Sequence, residues 1–182
     1  MPDNVVLIGF SGTGKSAVGR VLAACLAWPF VDTDALLVRR FGKSIAEVFR
    51  HDGEAVFRAA EREVVAEVCA GVCQVISLGG GAPVDPVSRG HIRDRNWIVR
   101  LEASPETILG RLQATPGSEE RPMLAGADPL GRIRALLHER QDAYAIADIV
   151  VSTEGLTVDE VADRILESLK RARVPEWNKG EA

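Results

Sequence analysis

The sequence predicts an α/β fold in which a mostly parallel β-sheet carries helices on both faces. Three observations point there. Short apolar runs alternate with stretches of helical periodicity along the 182 residues, as chains built from right-handed βαβ units do. The first run, Val5-Val6-Leu7-Ile8, is continuously apolar, as befits a strand buried on both faces. It ends directly in a glycine-rich loop followed by a helical pattern.

Residues 15–26 read as that first helix, and Pro29-Phe30-Val31 as a second strand closing on Asp32 and Asp34. Ser44 is placed to cap a short helix reaching Phe49, with Glu47 completing a capping box. Val56, Ala60, Val64 and Val68 recur at helical spacing in a long helix over 53–68. Val75-Ile76-Ser77-Leu78 is a third strand ending in Gly79-Gly80-Gly81, and Trp97 to Leu101 is a fourth. Ser104 or Pro105 opens a helix to about Gln113. Residues 114–129, with Pro116, Pro122 and Pro129, form the longest loop-like stretch. A helix is expected from about Leu130 to Tyr144, a fifth strand over Asp148-Ile149-Val150-Val151-Ser152, and a last helix from Thr157 to about Ala172. The chain shows no repeat and no linker, so one domain over 1–173 is expected, with a polar tail at 174–182.

Hydrophobic residues make up 46% and charged residues 26%, enough for a core without staples. The net charge of −4 argues against nucleic acid as a partner but leaves room for a local arginine cluster around a small anion. Cys25, Cys69 and Cys73 have no C-x-x-C spacing. They read as small core residues in helices, and as free thiols they favour a reducing compartment. No signal-like segment or long apolar run is seen. A cytoplasmic, soluble protein without a membrane partner is expected, and a monomer, since nothing marks an interface.

The strongest chemical signal is Gly9-Phe10-Ser11-Gly12-Thr13-Gly14-Lys15-Ser16, the pattern G-x-x-x-x-G-K-S. Its glycines let backbone N–H groups turn inward, and with the following helix N-terminus they make an anion site. Gly12, Thr13, Gly14, Lys15, Ser16 and Ala17 would surround the phosphates of a nucleoside triphosphate. Lys15 would reach the β- and γ-phosphates, and the Ser16 hydroxyl would ligate Mg²⁺. The loop implies a nucleoside triphosphate without naming the reaction.

Strand alternation puts Asp32 and Asp34 on one side of the second strand, at the carboxyl edge where open parallel sheets bind ligands. One carboxylate could hold Mg²⁺ while the other takes a proton from an attacking hydroxyl; alternatively, one simply caps the next helix. Because the third strand ends without an aspartate, Asp32 is the better metal candidate. Arg58 and Glu61 share a helix face, as a pocket pair or as a solvated one. The run Gly79-Gly80-Gly81 invites close approach by a ligand. Arg121, in the long loop, suits closure over phosphates or is an incidental surface arginine. Arg140 suits a bidentate grip on a carboxylate, or is a cation favoured at a helix C-terminus. His51, His91 and His138 show no ligand or triad spacing.

Together these segments resemble the shikimate kinase family. The resemblance runs from about Val5 to Ala172. It is carried by GFSGTGKS at 9–16, FVDTD at 30–34, KSIAEVFRHDGEAVFRAAE at 43–61, SLGGG at 77–81, RPMLAG at 121–126 and the Arg140 to Tyr144 segment. It implies a P-loop NTPase fold of the nucleoside monophosphate kinase type: a five-stranded parallel sheet, a shikimate-binding segment at about 33–62 and a lid at about 114–128. It implies transfer of the γ-phosphoryl group of ATP to the 3-hydroxyl of shikimate, giving shikimate 3-phosphate and ADP on the route to chorismate and the aromatic amino acids. By the same resemblance Lys15 and Ser16 serve ATP and Mg²⁺, with Asp32 in the metal's outer shell. Asp34 holds the substrate hydroxyl as candidate base. Arg58, Gly79, Gly80, Gly81 and Arg140 line the shikimate pocket, and Glu61 supports Arg58. Arg121 reaches the phosphates as a catalytic lid residue, and Arg111 lies against adenine.

The chain departs from the pattern at Ala17, Met123 and Asp142, and the loop Thr153-Glu154-Gly155-Leu156 lacks a frequent proline. A gluconate-type or related cyclitol kinase is the nearest alternative, since Ser16-Ala17-Val18 matches its loop, but the 43–61 segment and the glycine run fit shikimate better. A non-catalytic nucleotide-binding regulator would be expected to have lost at least one of Asp34, Arg58, Arg121 and Arg140; all are present.

Overall fold

The computed structural model describes residues 3–115 and 127–172. In chain order it contains β1 (Asn4–Ile8), α1 (Lys15–Leu26), β2 (Phe30–Asp32), α2 (Thr33–Phe41), α3 (Ile45–His51), α4 (Glu54–Cys69), β3 (Val75–Ser77), α5 (Pro86–Arg93), β4 (Asn96–Glu102), α6 (Pro105–Gln113), α7 (Pro129–Glu139), α8 (Gln141–Tyr144), β5 (Ile149–Ser152) and α9 (Val158–Arg171). The five strands form one parallel sheet in the order β2-β3-β1-β4-β5.

The apolar run of β1 explains the layering. Side chains alternate across the sheet, so Val5 and Leu7 enter one core with Val18 and Leu22 of α1 and Val161, Ile165 and Leu169 of α9. Val6 and Ile8 enter the other, with Leu37 of α2, Val48 of α3, Val64 and Val65 of α4 and Ile92 of α5. All four β1 side chains are fully buried. A third cluster, Phe10 with Ile108, Leu112 and Ile133, seats the loop after β1 against α6 and α7.

β1 lies between β3 and β4, so successive crossovers leave it in opposite directions. The carboxyl ends of β1 and β3 flank the topological switch point, where sheets of this kind open a crevice. The glycine-rich loop leaves β1 there, the run Gly79-Gly80-Gly81 leaves β3, and Asp32 ends β2 beside it.

Several elements differ from the sequence expectation. β2 stops at Asp32, and α2 starts at once because the Asp32 side chain accepts from the N–H groups of Asp34 and Ala35. Asp34 therefore sits in a first helical turn, and strand alternation is not what brings it toward the crevice. A 3-10 turn at 82–84 and α5 also went unanticipated; Asp85 caps α5 through the N–H of Ser88, with Pro86 as its first residue. The helix expected to run to Tyr144 breaks at Arg140, which has φ −96° and ψ 2°. Of the cysteines only Cys69 is buried; Cys25 is on the exposed side of α1, and Cys73 sits in a turn at φ 55°. The capping box of Ser44 and Glu47 forms as the spacing predicts. No helix of the described residues is long and apolar enough to cross a membrane.

At the opposite edge of the sheet, the buried side chain of Asn4 donates to the carbonyl of Gly71 at 2.7 Å and to Asn96 at 2.8 Å. Asn96 in turn donates to the carbonyls of His91, Ile92 and Asp94. Leaving such groups unpaired costs about 1–3 kcal/mol each. Asn96→Ala should therefore lower unfolding free energy by about 2–4 kcal/mol in urea titrations. Substrate KM values at temperatures where the variant remains folded should not change, because the site is at the other end of the strands.

Candidate active site

The loop after β1 is built around backbone conformations that side chains disfavour. Gly9, Gly12 and Gly14 take φ of 137°, 85° and 90°. Thr13, almost fully buried, closes the turn by donating its hydroxyl to the carbonyl of Phe10 at 2.8 Å. Gly14 caps α1 without a side chain, so the helix's first N–H groups stay open to an anion.

Lys15 folds back over this loop. Its ammonium donates to the carbonyls of Gly9 and Phe10, both at 2.9 Å, which leaves one of its three protons uncommitted. Burial pulls its pKa down from 10.5 to about 8, opposed by the charges of Asp34 and Asp32 and assisted by that of Arg140.

Ser16 donates its hydroxyl to Asp32 at 2.6 Å and lies 3.4 Å from the hydroxyl of Ser77. Asp32 does two jobs: one oxygen faces Ser16 while the other caps α2 at 3.0 and 3.2 Å. The alternatives of metal-side carboxylate and helix cap are compatible within one carboxylate. Since the Ser16 hydroxyl donates its hydrogen bond to Asp32, its lone pairs remain available to a cation. Among the described residues no three His, Cys, Asp or Glu side chains cluster as a metal site. A divalent ion here would take its other ligands from phosphate and water, the habit of Mg²⁺.

Across from the phosphate loop, the three glycines after β3 serve closeness. A Cβ on Gly79 would stand 2.6 Å from an Asp34 oxygen and 3.2 Å from a Glu61 oxygen. One on Gly80 would press on the N–H of Ser11, and one on Gly81 would sit 2.6 Å from the Arg58 guanidinium. Thr33 ties the start of α2 to this run. Its buried hydroxyl donates to the carbonyl of Ser77 at 3.3 Å and accepts from the N–H of Gly79 at 3.0 Å.

Arg58 and Glu61 are not a solvated pair. Glu61 is 3% exposed and accepts from Arg58 at 2.6 Å. Arg58 also reaches Glu54 at 3.2 Å and lies over the rings of Phe49 and Phe57. Burial pushes the Glu61 carboxyl up, and Arg58 only partly offsets it. Burial works against the charge of Arg58, but its two carboxylates hold its pKa above the ordinary value.

Arg140 completes the enclosure. It donates to the carbonyl of Gly80 at 3.1 Å and lies over the ring of Phe10, so the break between α7 and α8 places it against both loops. Arg111 stands apart from the acceptor side. It donates to the hydroxyl and carbonyl of Thr153 at 2.8 and 2.9 Å and approaches the carbonyl of Gly12 at 3.5 Å, on the β5 flank of the phosphate loop. Ala17 is exposed in the first turn of α1. Arg121 lies outside the described residues. The sequence assigns no role to Thr33, Ser77, Tyr144 or Thr153. Ser and Thr at strand ends are too common to signal a site, and only the folded chain shows what they tie together.

A sheet with its crevice at the switch point, a glycine-built phosphate cradle with a buried lysine, and a carboxylate-arginine basin opposite define a P-loop phosphotransferase. The protein-family model described as shikimate kinase matches residues 11–170. The shikimate kinase of Thermus thermophilus is 48% identical over 167 residues, covering 92% of this chain and 90% of the relative. The shikimate kinase of Acinetobacter baumannii, solved in complex with shikimate, superposes with a TM-score of 0.88 at 30% identity, covering 96% and 97% of the two chains. A gluconokinase from Sinorhizobium meliloti shares the fold at a TM-score of 0.60 and 17% identity. The chain belongs to the shikimate kinase family.

A Lys15 that holds a nucleotide's phosphates would make nucleotide binding pH-dependent. In the unliganded protein its charge is lost as pH rises through about 8, whereas a bound triphosphate favours the charged form. Its folded pKa is depressed, so burying the cation costs stability below about 8, and that cost fades toward 10.5. Alkaline pH therefore relieves the fold and would weaken any ATP binding that relies on the Lys15 charge. Calorimetry at about pH 9 in buffers of different ionisation enthalpy should show net proton uptake on ATP binding, absent in Lys15→Arg.

Proposed function

We propose that this chain phosphorylates the 3-hydroxyl of shikimate with ATP, a step on the route to the aromatic amino acids. The observation that carries this reading is the placement of Asp34, Glu61 and Arg58 around Gly79 and Gly81, directly across from Lys15 and Ser16. A phosphate donor and a small hydroxylated acid fit on opposite sides of one crevice. Membership of the family and its shared fold support it.

In this reading Lys15 and the open N–H groups of α1 hold the β- and γ-phosphates. Mg²⁺, bound with the nucleotide, supplies charge neutralisation, and Ser16 and Asp32 are the residues that would hold it, Asp32 directly or through water. Arg58 and Arg140 take the acceptor's carboxylate by charge-assisted hydrogen bonds, while Glu61 keeps Arg58 in place. Asp34 accepts the proton of the attacking hydroxyl. That oxygen forms a bond to the γ-phosphorus as the bond to the β–γ bridging oxygen breaks, and the electron pair leaves with ADP. The ammonium of Lys15 offsets the charge that develops on the phosphates.

The shikimate-binding segment at 33–62, the lid at 114–128 and the placement of Arg121 on the phosphates and Arg111 on adenine belong to this proposal. So do a monomeric state and a cytoplasmic location. The resemblance of the sequence motifs supports them.

Asp34→Asn should lower kcat by about 10²–10⁴-fold and leave ATP affinity nearly unchanged; a collapse of ATP binding would remove Asp34 from the acceptor side. Arg58→Ala and Arg140→Ala should each raise the KM for shikimate by about 10–100-fold, the loss of a hydrogen bond between charged groups, with the KM for ATP within about 2-fold. Coupled ADP-release assays with shikimate, gluconate and no acceptor read all of these. Stimulation by gluconate rather than shikimate would keep the phosphate site and overturn the acceptor.

A further inference from the structure

We propose that Tyr144 is a positioning residue that sets the acceptor side of the crevice through Gly80 and Arg140. The proposal rests on the reading that Gly80 and Arg140 serve the acceptor.

Tyr144 is the largest fully buried side chain and is 1% exposed. Its hydroxyl donates to the carbonyl of Gly80 at 2.6 Å, the same oxygen that Arg140 reaches at 3.1 Å. A carbonyl has two lone pairs, and here both are taken by one segment. Arg140 and Tyr144 are four residues apart at the two ends of α8, joined by the bond from the N–H of Tyr144 to the carbonyl of Arg140 at 3.0 Å. Their side chains leave the same face of that turn and converge on one acceptor.

Gly80 itself has nowhere to go on its other side. A Cβ there would meet the N–H of Ser11 at 3.1 Å and the carbonyl of Gly9 at 3.3 Å. The run 79–81 is thus held between the phosphate loop and the tyrosine hydroxyl. Tyr144 is fixed from behind by Arg100, which lies over its ring and pairs with Glu102 at 3.2 Å. The ring anchors in the core with Ile98 and Leu78, so the hydroxyl height is set by packing rather than by a flexible side chain. Without that hydroxyl, the Gly80 carbonyl would be held by Arg140 alone. Arg140 would then divide its donors between a backbone carbonyl it must restrain and a substrate carboxylate it must orient.

Tyr144→Phe keeps the ring and removes the bond. It should raise the KM for shikimate about 10-fold, the equivalent of one hydrogen bond, with the KM for ATP within about 2-fold and kcat within about 3-fold. In an Arg140→Ala background the same substitution should add less than about 2-fold, because a residue that acts through Arg140 has little left to position. The chain has a single tyrosine, so tyrosine labelled with ¹³C at the ring ζ carbon gives one resonance in the wild-type protein. That signal should move on saturation with shikimate and stay in place with ADP alone. A rise in both KM values together, full additivity with Arg140→Ala, or a tyrosine signal indifferent to shikimate would each overturn the proposal. An unchanged shikimate KM in Arg140→Ala itself would instead overturn the underlying reading of the site.

Discussion

Two loops and the start of a helix leave the carboxyl edge of the sheet at β1, β3 and β2, and they meet because no side chain stands between them at 79–81. The space a Cβ would need on Gly79 holds the carboxylates of Asp34 and Glu61, and the space on Gly81 holds the Arg58 guanidinium. None of these glycines adopts a positive φ. Their value is volume. The rest of the site depends on that vacancy: Asp34 can face Lys15 only if α2 packs close to β3, and Thr33 bonds that packing in place through Ser77 and Gly79.

Closeness of this kind concentrates charge, and the charges are arranged to be mutually restrained before any ligand arrives. Lys15, Arg58 and Arg140 face Asp32, Asp34 and Glu61 across the crevice. Two of these carboxylates also hold structure in place, since Asp32 caps α2 and Glu61 fixes Arg58. Of these groups only Lys15 and Glu61 are buried, and neither buried nor exposed ion pairs add much net stability as a rule, so the arrangement is better understood as preorganisation. Side chains whose direction is already set need little rearrangement as charge develops on a transferring phosphoryl group.

The sheet, its parallel sense and its phosphate loop were legible because each has a local cause. A continuous apolar strand must be buried on both faces, and a glycine-rich turn before a helix must present N–H groups. The helix from Thr33 to Phe41 was not legible. A cap from one of the two aspartates was one of two readings open for them, but the charged Arg39 and Arg40 in the last turn masked the apolar residues Leu36 and Leu37, so the extent of the helix could not be read. The pair Arg58 and Glu61 was recognised by spacing, but spacing says nothing about burial. Only the packing of α4 against β3 makes Glu61 an interior group. The break at Arg140 carries no proline or glycine, so no local rule could have placed it. It is set by what its side chain reaches.

That break bears on how the two halves of the site communicate. Arg140 touches the phosphate loop through the ring of Phe10 and the acceptor loop through the carbonyl of Gly80, and its charge is felt at Lys15. An anion settling on Lys15 would relieve the repulsion between those two cations and change the field at Arg140. An acceptor carboxylate on Arg140 would do the same for Lys15. Each ligand therefore changes the field that the other meets, and because both are anions the direct interaction between them is repulsive, offset at each site by its own cation; such a coupling is reciprocal by thermodynamic necessity. It needs no moving domain, only a buried lysine and a half-buried arginine close enough to sense one another and a carbonyl that holds the arginine in place.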